Sequence, residues 1–479
     1  MVSNPVDATI KRIRGWLGAH VESTVLHAAA ELHLLSSLQQ EAYSHQELAE
    51  RYDYEPYSVR VLLDILTGLE FVTKRPDGRY KLSDTLQPLF NQETGMALAA
   101  SAQGWPSLLS FSPALYAPLL QFAQDVSAHP ATSATRLLEC AWRYVWSAGM
   151  MEAGAQRLLS SLQERPLPFA DLAVQRHLSE EDLQQLCIVG QHIEVLSRHD
   201  NLVELSQEAR RAFGQGSIKE YCRWMEQRLV MERTFFYTPL GQLSRSLRDH
   251  QPVSLSSSLG SPANGQFRRT FVRTNRPIIP LLYHVAQNVT SKIMLAQHPI
   301  RVLEIGAASG CWGIALASLH PKSQIVAVDT PETLKETQQI VAAAKVQARY
   351  TWNPGNMQHI EQETHSYDLI VLNEVCHTVS PKLLVSWLTR IVRMLTAHGV
   401  LLIADMVLDA DYAGPSRHLL SAIKLLVTGG GQLMNINDYR QILQQAGLDA
   451  VQFSRLATTD LILASCRKDQ LMVNDEPVE

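Results

Sequence analysis

The chain has 479 residues, 46% of them hydrophobic, and a formal net charge of −5. At roughly 100–200 residues per domain, that length gives two to four domains, and the apolar fraction excludes a globally disordered chain. No apolar run reaches the roughly 18 residues of a membrane-spanning helix, so none is expected. The opening residues, MVSNPVDATIKRIRGWLGAH, lack the apolar stretch and small-residue cleavage site of a secretory signal. Six scattered cysteines (Cys140, Cys187, Cys222, Cys311, Cys376, Cys466) form no C-x-x-C pair. That argues against a zinc ribbon or disulfide scaffold and fits a reducing, cytoplasmic setting. Mild acidity gives no general attraction to nucleic acid.

In chain order, the first predicted element is a helix around His27-Ala28-Ala29-Ala30-Glu31-Leu32. Residues 44–72 predict two more helices joined by a short turn, and Lys74-Arg75-Pro76-Asp77-Gly78-Arg79 turns a hairpin into YKLSD. Helix, helix, helix, hairpin is the order of a winged helix. The pattern then returns at an offset of 124. Leu34–Gln39 reads LLSSLQ and so does Leu158–Gln163; Val59, Leu62, Leu63 and Ile65 meet Leu183, Leu186, Cys187 and Val189. Phe71-Val72 meets Val195-Leu196; after one deletion in the hairpin turn, Leu82-Ser83 meets Leu205-Ser206 and Phe90 meets Phe213. A register held through three helices and a hairpin predicts a second, degenerate winged-helix module at about 135–215. Winged helices often bind DNA, but residues 40–90 carry six Lys/Arg against nine Asp/Glu, and the would-be recognition helix (Tyr57-Ser58-Val59-Arg60-Val61-Leu62-Leu63) is mostly apolar. Nucleic-acid readers need a basic face, so packing or dimerisation is the expected role.

Residues 216–298 read as a connector with an aromatic helix (Tyr221, Trp224, Phe235, Phe236, Tyr237). The plain reading of that stripe is helix–helix core. Beyond 300, apolar runs alternate with helical patterns: IRVLEIG, IVAVD, ARYTWN, YDLIVLNEV and HGVLLIADMVL, then AVQFSRL and TDLILASC. Continuous Val/Ile/Leu strands separated by helices indicate a parallel, doubly wound sheet covered on both faces. The short link Leu456–Thr459 requires the last two strands to form an antiparallel hairpin. The expected fold is therefore an α/β, Rossmann-like sheet of seven strands preceded by a mostly helical region with winged-helix modules. Its expected divisions are 1–95, 96–215, 216–298 and 299–479.

Three strand ends carry candidate ligand groups. The first runs into Glu304-Ile305-Gly306-Ala307-Ala308-Ser309-Gly310, where Gly306 permits a tight turn and Gly310 lets backbone approach a ligand. The next helix would aim its N–H groups at an anionic group. The second strand ends in Asp329-Thr330, and a carboxylate there can accept both ribose hydroxyls of a nucleoside; the alternative is an Asp capping the helix at Pro331. Gly355-Asn356-Met357 follows the third, offering an amide for an adenine edge and a flat-packing Met for its face. All three lie on the carboxyl edge where open α/β sheets bind ligands.

With these residues in view, 300–466 resembles a class I S-adenosylmethionine-dependent methyltransferase domain. More narrowly, it resembles the O-methyltransferase family that includes plant phenolic and bacterial antibiotic-pathway enzymes. Its fourth strand ends in Asn373-Glu374-Val375-Cys376-His377-Thr378-Val379, where the family has Leu-His-Asp-Trp; its fifth ends in Asp405-Met406; its glycine turn is Gly429-Gly430-Gly431. The resemblance implies S-adenosylmethionine as cofactor, held by Glu304, Gly306, Gly310, Asp329, Thr330, Gly355, Asn356, Met357 and Asn373. It implies His377 as base with Asp405 as its partner, a small-molecule acceptor in specialised metabolism, and a homodimer built through the N-terminal module. The connector would roof the substrate pocket. A solvated loop His capping the helix from Pro381 is the other reading of His377.

The chain departs from the family at Thr378-Val379, at Ala308 in place of a glycine, and at Leu433, which falls on a second acidic partner. These departures keep two alternatives open: a cofactor-binding homologue performing hydroxylation or decarboxylation, and a non-enzymatic winged-helix regulator or scaffold. His377 and Asp405 lack H-x-x-x-H or H-x-D spacing, so no metal is expected.

Overall fold

In a computed structural model, which describes residues 5–87, 133–213, 218–258, 261–293, 300–355, 357, 360, 366–456 and 459–465, the chain forms two units, Met1–Val253 and Ser254–Glu479. The division falls inside the stretch expected as a connector. Helix Ile218–Glu232 belongs to the first unit, and helices Pro262–Thr274 and Ile279–Thr290 to the second. Asn356, Phe90 and Cys466 lie outside the described residues.

The first unit contains the repeat as structure. Helices Leu34–Gln40, His45–Tyr52 and Pro56–Gly68 lead to a hairpin of β1 (Val72–Lys74) and β2 (Tyr80–Leu82). Helices Leu158–Ser161, Phe169–Arg176 and Glu180–His192, with β3 (Leu167–Pro168) ahead of the second of them, lead to a hairpin of β4 (Leu196–His199) and β5 (Leu202–Leu205). Backbone turns at the helix ends recur in both. Left-handed residues stop or join helices at His33, Asp53 and Glu70, and again at Arg157, His177 and Glu194, each pair at the offset of 124. Non-glycine residues rarely adopt that conformation, so three matched pairs mark a shared fold. The hairpins match too: Val72 pairs with Leu82 and Leu196 with Leu205. The lone bridge Tyr43–Tyr80 becomes the short β3–β5 pairing at Leu167–Val203.

Apolar positions matched by the repeat are buried in both copies, Val59, Leu62, Leu63 and Ile65 like Leu183, Leu186, Cys187 and Val189. Helix Pro56–Gly68 is buried along most of its length, including Asp64, which accepts hydrogen bonds from the Tyr80 hydroxyl (2.7 Å) and Lys74 Nζ (3.2 Å). Of the connector aromatics, Phe235, Phe236 and Tyr237 are buried, Tyr237 with Met225 and Leu229 against the second copy, and Trp224 packs on the same cluster; the Tyr221 side chain lies outside the described residues.

The second unit is the expected α/β sheet. Its strands are β6 (Arg301–Ile305), β7 (Gln324–Asp329), β8 (Tyr350–Pro354), β9 (Tyr367–Asn373), β10 (Leu395–Asp405), β11 (Ala450–Arg455) and β12 (Asp460–Ser465). They lie in the order β11-β12-β10-β9-β6-β7-β8. The five from β10 to β8 are parallel, and β12 and β11 form the antiparallel end. Alternate residues feed two cores: Val302, Leu369, Val371 and Leu402 face helices Ile279–Thr290 and Cys311–Leu319, whereas Leu303, Ile370, Leu372 and Ile403 face helices Pro381–Val392 and Ile436–Gln445. Burial of both strand faces explains why the strands read as unbroken apolar runs.

Candidate active site

Strand order decides what can share a site. β6, β7 and β8 are neighbours, so the Gly306 turn, Asp329 and Gly355 stand side by side at one edge, with β9 and β10 adjoining on the other side of β6. Gly306 (φ 78°) ends β6 against the carbonyl of Asn373, where a Cβ would overlap it. The Asn373 amide donates to Gly306 O (3.0 Å) and its Oδ1 accepts from Trp312 Nε1 (3.3 Å). Asn373 therefore fastens the turn to β9. Ala308, at the glycine position, takes a left-handed backbone (φ 47°), and Gly310 does too.

Glu304 does not face that edge. It is fully buried beneath helix Cys311–Leu319, where Oε1 accepts from Gly313 N (3.2 Å). Burial, more than any neighbour, pushes its pKa up to about 8. Asp329 is the acid that closes β7, and Thr330, not Asp329, caps the following helix through Thr333 N (3.3 Å). Both Asp329 oxygens are in use. Oδ1 accepts from Arg268 Nε (2.8 Å) and Thr330 N (2.8 Å); Oδ2 accepts from the Arg268 guanidinium (2.7 Å) and Ala308 N (3.0 Å). Gly355 N donates to Asp329 O (3.1 Å), and a Cβ on Gly355 would meet nothing within 4 Å. Met357 is buried in the core beside these strands.

These groups fit a nucleoside-bearing cofactor. An anchored carboxylate ends the middle strand and open space lies over the glycine on the next. The diol of a ribose would take oxygens that Arg268 holds.

Across β6, His377 Nδ1 and Asp405 Oδ1 are 2.6 Å apart, and Asp405 Oδ2 accepts from His377 N (3.2 Å). Asp405 Oδ1 also accepts from Met406 N (2.7 Å). Both side chains are buried, so His377 is not a solvated loop residue. Burial works to lower the imidazole's pKa, but the Asp405 carboxylate and its hydrogen bond outweigh it, and the pKa is raised. Gly431 (φ 81°) packs on the His377 carbonyl, where a Cβ would overlap it, so the glycine turn also serves to hold this loop.

An O-methyltransferase domain matches residues 282–449, and an O-methyltransferase dimerisation domain matches residues 16–86. Each match covers part of the chain, and both models describe O-methyltransferases. Rat acetylserotonin O-methyltransferase is 26% identical over 162 residues, covering 32% of this chain and 35% of that enzyme, so this chain spans about a third of that relative's length. PigF, an S-adenosyl-L-methionine-dependent methyl transferase of Serratia sp., is 22% identical over 322 residues, 63% of this chain and 86% of that one. The structure of human N-acetylserotonin methyltransferase with SAM shares the fold at a TM-score of 0.57 and 20% identity, covering 70% of this chain and 98% of that one.

Two residues of the site are announced by no sequence motif. Arg268, in the helix Pro262–Thr274, carried no motif. Glu374 sits three residues before His377 with a left-handed backbone (φ 54°) that turns the chain at the end of β9. Glu374, His377 and Asp405 offer ligand atoms all within 4.8 Å of one another, a set that could hold a metal ion. Asp405 spends both oxygens on protein donors, which makes the set a carboxylate–imidazole pair with a second acid beside it. The acid expected from the family at position 433 is a buried leucine here, and Glu374 brings a carboxylate to the same histidine from the other side of the sequence. Burial first, then the Asp405 charge, raise the Glu374 pKa to about 7.

Proposed function

We propose that this chain is a cytoplasmic S-adenosylmethionine-dependent methyltransferase acting on a small-molecule acceptor, with O-methylation favoured, in specialised metabolism. The single observation that carries the reading is the buried His377–Asp405 pair (2.6 Å) one strand away from the nucleoside-type edge of β6–β8. Asp329 would take the ribose hydroxyls, with Thr330 beside it. Gly355, Asn356 and Met357 would take the adenine, and the Gly306–Gly310 turn, braced by Asn373, the remainder. Glu304 supports the turn from beneath.

Bound S-adenosylmethionine supplies an electrophilic methyl group on a sulfonium, open to in-line displacement. His377 would accept the acceptor's hydroxyl proton at Nε2 as the oxygen attacks, because Nδ1 is committed to Asp405. Asp405 fixes the ring's orientation and stabilises its positive charge once protonated. The relatives named above are methyltransferases, which favours methyl transfer over hydroxylation or decarboxylation. We read the two helix–hairpin copies as winged-helix modules. Their excess of acid and the burial of helix Pro56–Gly68 favour packing over nucleic-acid reading. The match to a dimerisation domain at residues 16–86 supports a module-pairing role for the N-terminal unit. No described helix is long and apolar enough to cross a membrane.

Calorimetric titration with S-adenosylmethionine tests the cofactor half. Binding by the native chain should weaken roughly tenfold or more in Asp329→Ala, since a hydrogen bond to a charged group contributes about 1.5–3 kcal/mol. No heat of binding to the native chain would end the proposal.

A further inference from the structure

The repeat in the first unit does more than lengthen the chain. Each copy is preceded by a long helix, Pro5–Glu31 before the first and Ser133–Ala155 before the second. These equivalent helices pack on each other, and His27 meets Tyr144 ring edge to face at their contact. The contact is specific as well as apolar. The Ser23 hydroxyl inserts into the partner helix, donating to Cys140 O (2.5 Å) and accepting from Tyr144 N (3.0 Å). His27 Nε2 meets Ala141 O (2.8 Å), and Glu22 pairs with Arg143 (2.7 Å). Ser147, the residue matching Ser23 at the offset of 124, is also serine and also buried.

A symmetric dimer forms when the same patch of two identical subunits meets itself. Here two copies of one module, the first of which is an O-methyltransferase dimerisation domain, meet through equivalent helices inside one chain. We propose that residues 133–213 take, within the same chain, the place of a second subunit's dimerisation domain, so that the protein is a fused pseudo-dimer and a monomer in solution. One catalytic unit then serves two dimerisation modules. This inference stands apart from the catalytic reading, because it concerns only the first unit. It also replaces the homodimer that the family resemblance implies.

Drift of the second copy follows from the same arrangement. A homodimer constrains one sequence to fit both sides of its interface, whereas a fusion frees each side to specialise. Glu22 and Arg143 show this: the positions matching them are Trp146 and Ala19, so the ion pair exists on one side of the helix pair only.

Two measurements on the full-length chain decide it. Sedimentation velocity over a hundredfold concentration range should give one species at 53.5 kDa; a species of twice that mass would overturn the proposal. In the double variant Glu22→Cys/Arg143→Cys, with each single variant as control, oxidation or a short bis-maleimide should close a link inside one chain. Non-reducing electrophoresis should then show a monomer with altered mobility. A linked dimer, meaning modules exchanged between chains, or no link with either reagent would overturn the pairing. Loss of S-adenosylmethionine binding or of methyl transfer would leave these readouts unchanged, so failure of the catalytic reading and failure of this inference are distinguishable.

Discussion

The guanidinium of Arg268 forks onto both carboxylate oxygens of Asp329, at 2.8 and 2.7 Å, in the position where a ribose diol would bond. The pair is nearly closed to solvent, with the Arg268 side chain 11% exposed and Asp329 at 0%. Arg268 therefore neutralises a buried acid, and under the proposed function it would compete with the ribose for it. Removing one partner of such a pair costs about 3–5 kcal/mol because the other charge stays buried and unpaired. Arg268→Leu should lower the melting temperature of the ligand-free protein by several degrees. S-adenosylmethionine should then raise the variant's melting temperature by more than it raises the native protein's. A smaller rise in the variant would show that Arg268 belongs to the ligand site itself.

Glu374 predicts a change in how His377 titrates. The groups facing the imidazole are Asp405, Glu374 and Arg268, and the Glu374 charge is one of those that raise its pKa. Glu374→Gln should lower the His377 pKa, because it removes one of the charges that favour the protonated ring. Carbon-13 labelled histidine followed by NMR measures this, with the His377 signal assigned by its loss in His377→Asn. An unmoved pKa would remove Glu374 from the site. Broadening of that signal by micromolar manganese would instead make the three residues a cation site.

What could be read in the sequence depended on whether the signal was periodic or spatial. The seven strands, the terminal hairpin and the duplication are patterns along the chain, and each appears where the apolar spacing put it. The meeting of His377 and Asp405 was legible because Asp405 ends β10, His377 follows the end of β9 by four residues, and these adjacent parallel strands bring their ends together. Asp329 was legible for the same reason. Arg268 was not, since its partner lies 61 residues away on a different element. Glu374 was not legible, because nothing in an Asn-Glu-Val sequence announces the left-handed backbone (φ 54°) it adopts after β9. Glu304 precedes the glycine turn, which points to the ligand edge, yet strand alternation sends its side chain under the helix.

That burial gives Glu304 a pH signature with a definite sign. Its folded pKa is about 8, against an ordinary value of 4.5. The folded state thus holds a proton that the unfolded state releases. Stability is fully present below about 4.5, falls as pH rises, and stops falling above about 8. Glu304→Gln should remove this dependence, so the variant gains in melting temperature relative to the native chain between pH 5 and about 8. Thermal melts across that range check it. Parallel curves for the two proteins would mean that Glu304 is ionised in the fold.

The account rests on His377 as the base beside a bound methyl donor. The most direct test incubates the native chain and His377→Asn with methyl-labelled S-adenosylmethionine and a pool of small phenolic and other hydroxylated acceptors, with donor binding measured in parallel. The prediction is a labelled product heavier than its precursor by one CH₂, formed by the native chain and reduced by about 10²–10⁴ in the variant, the range for loss of a general base, while the variant still binds the donor. A native chain that binds the donor but yields products changed by an added oxygen or a lost CO₂, with no label transferred, would contradict it.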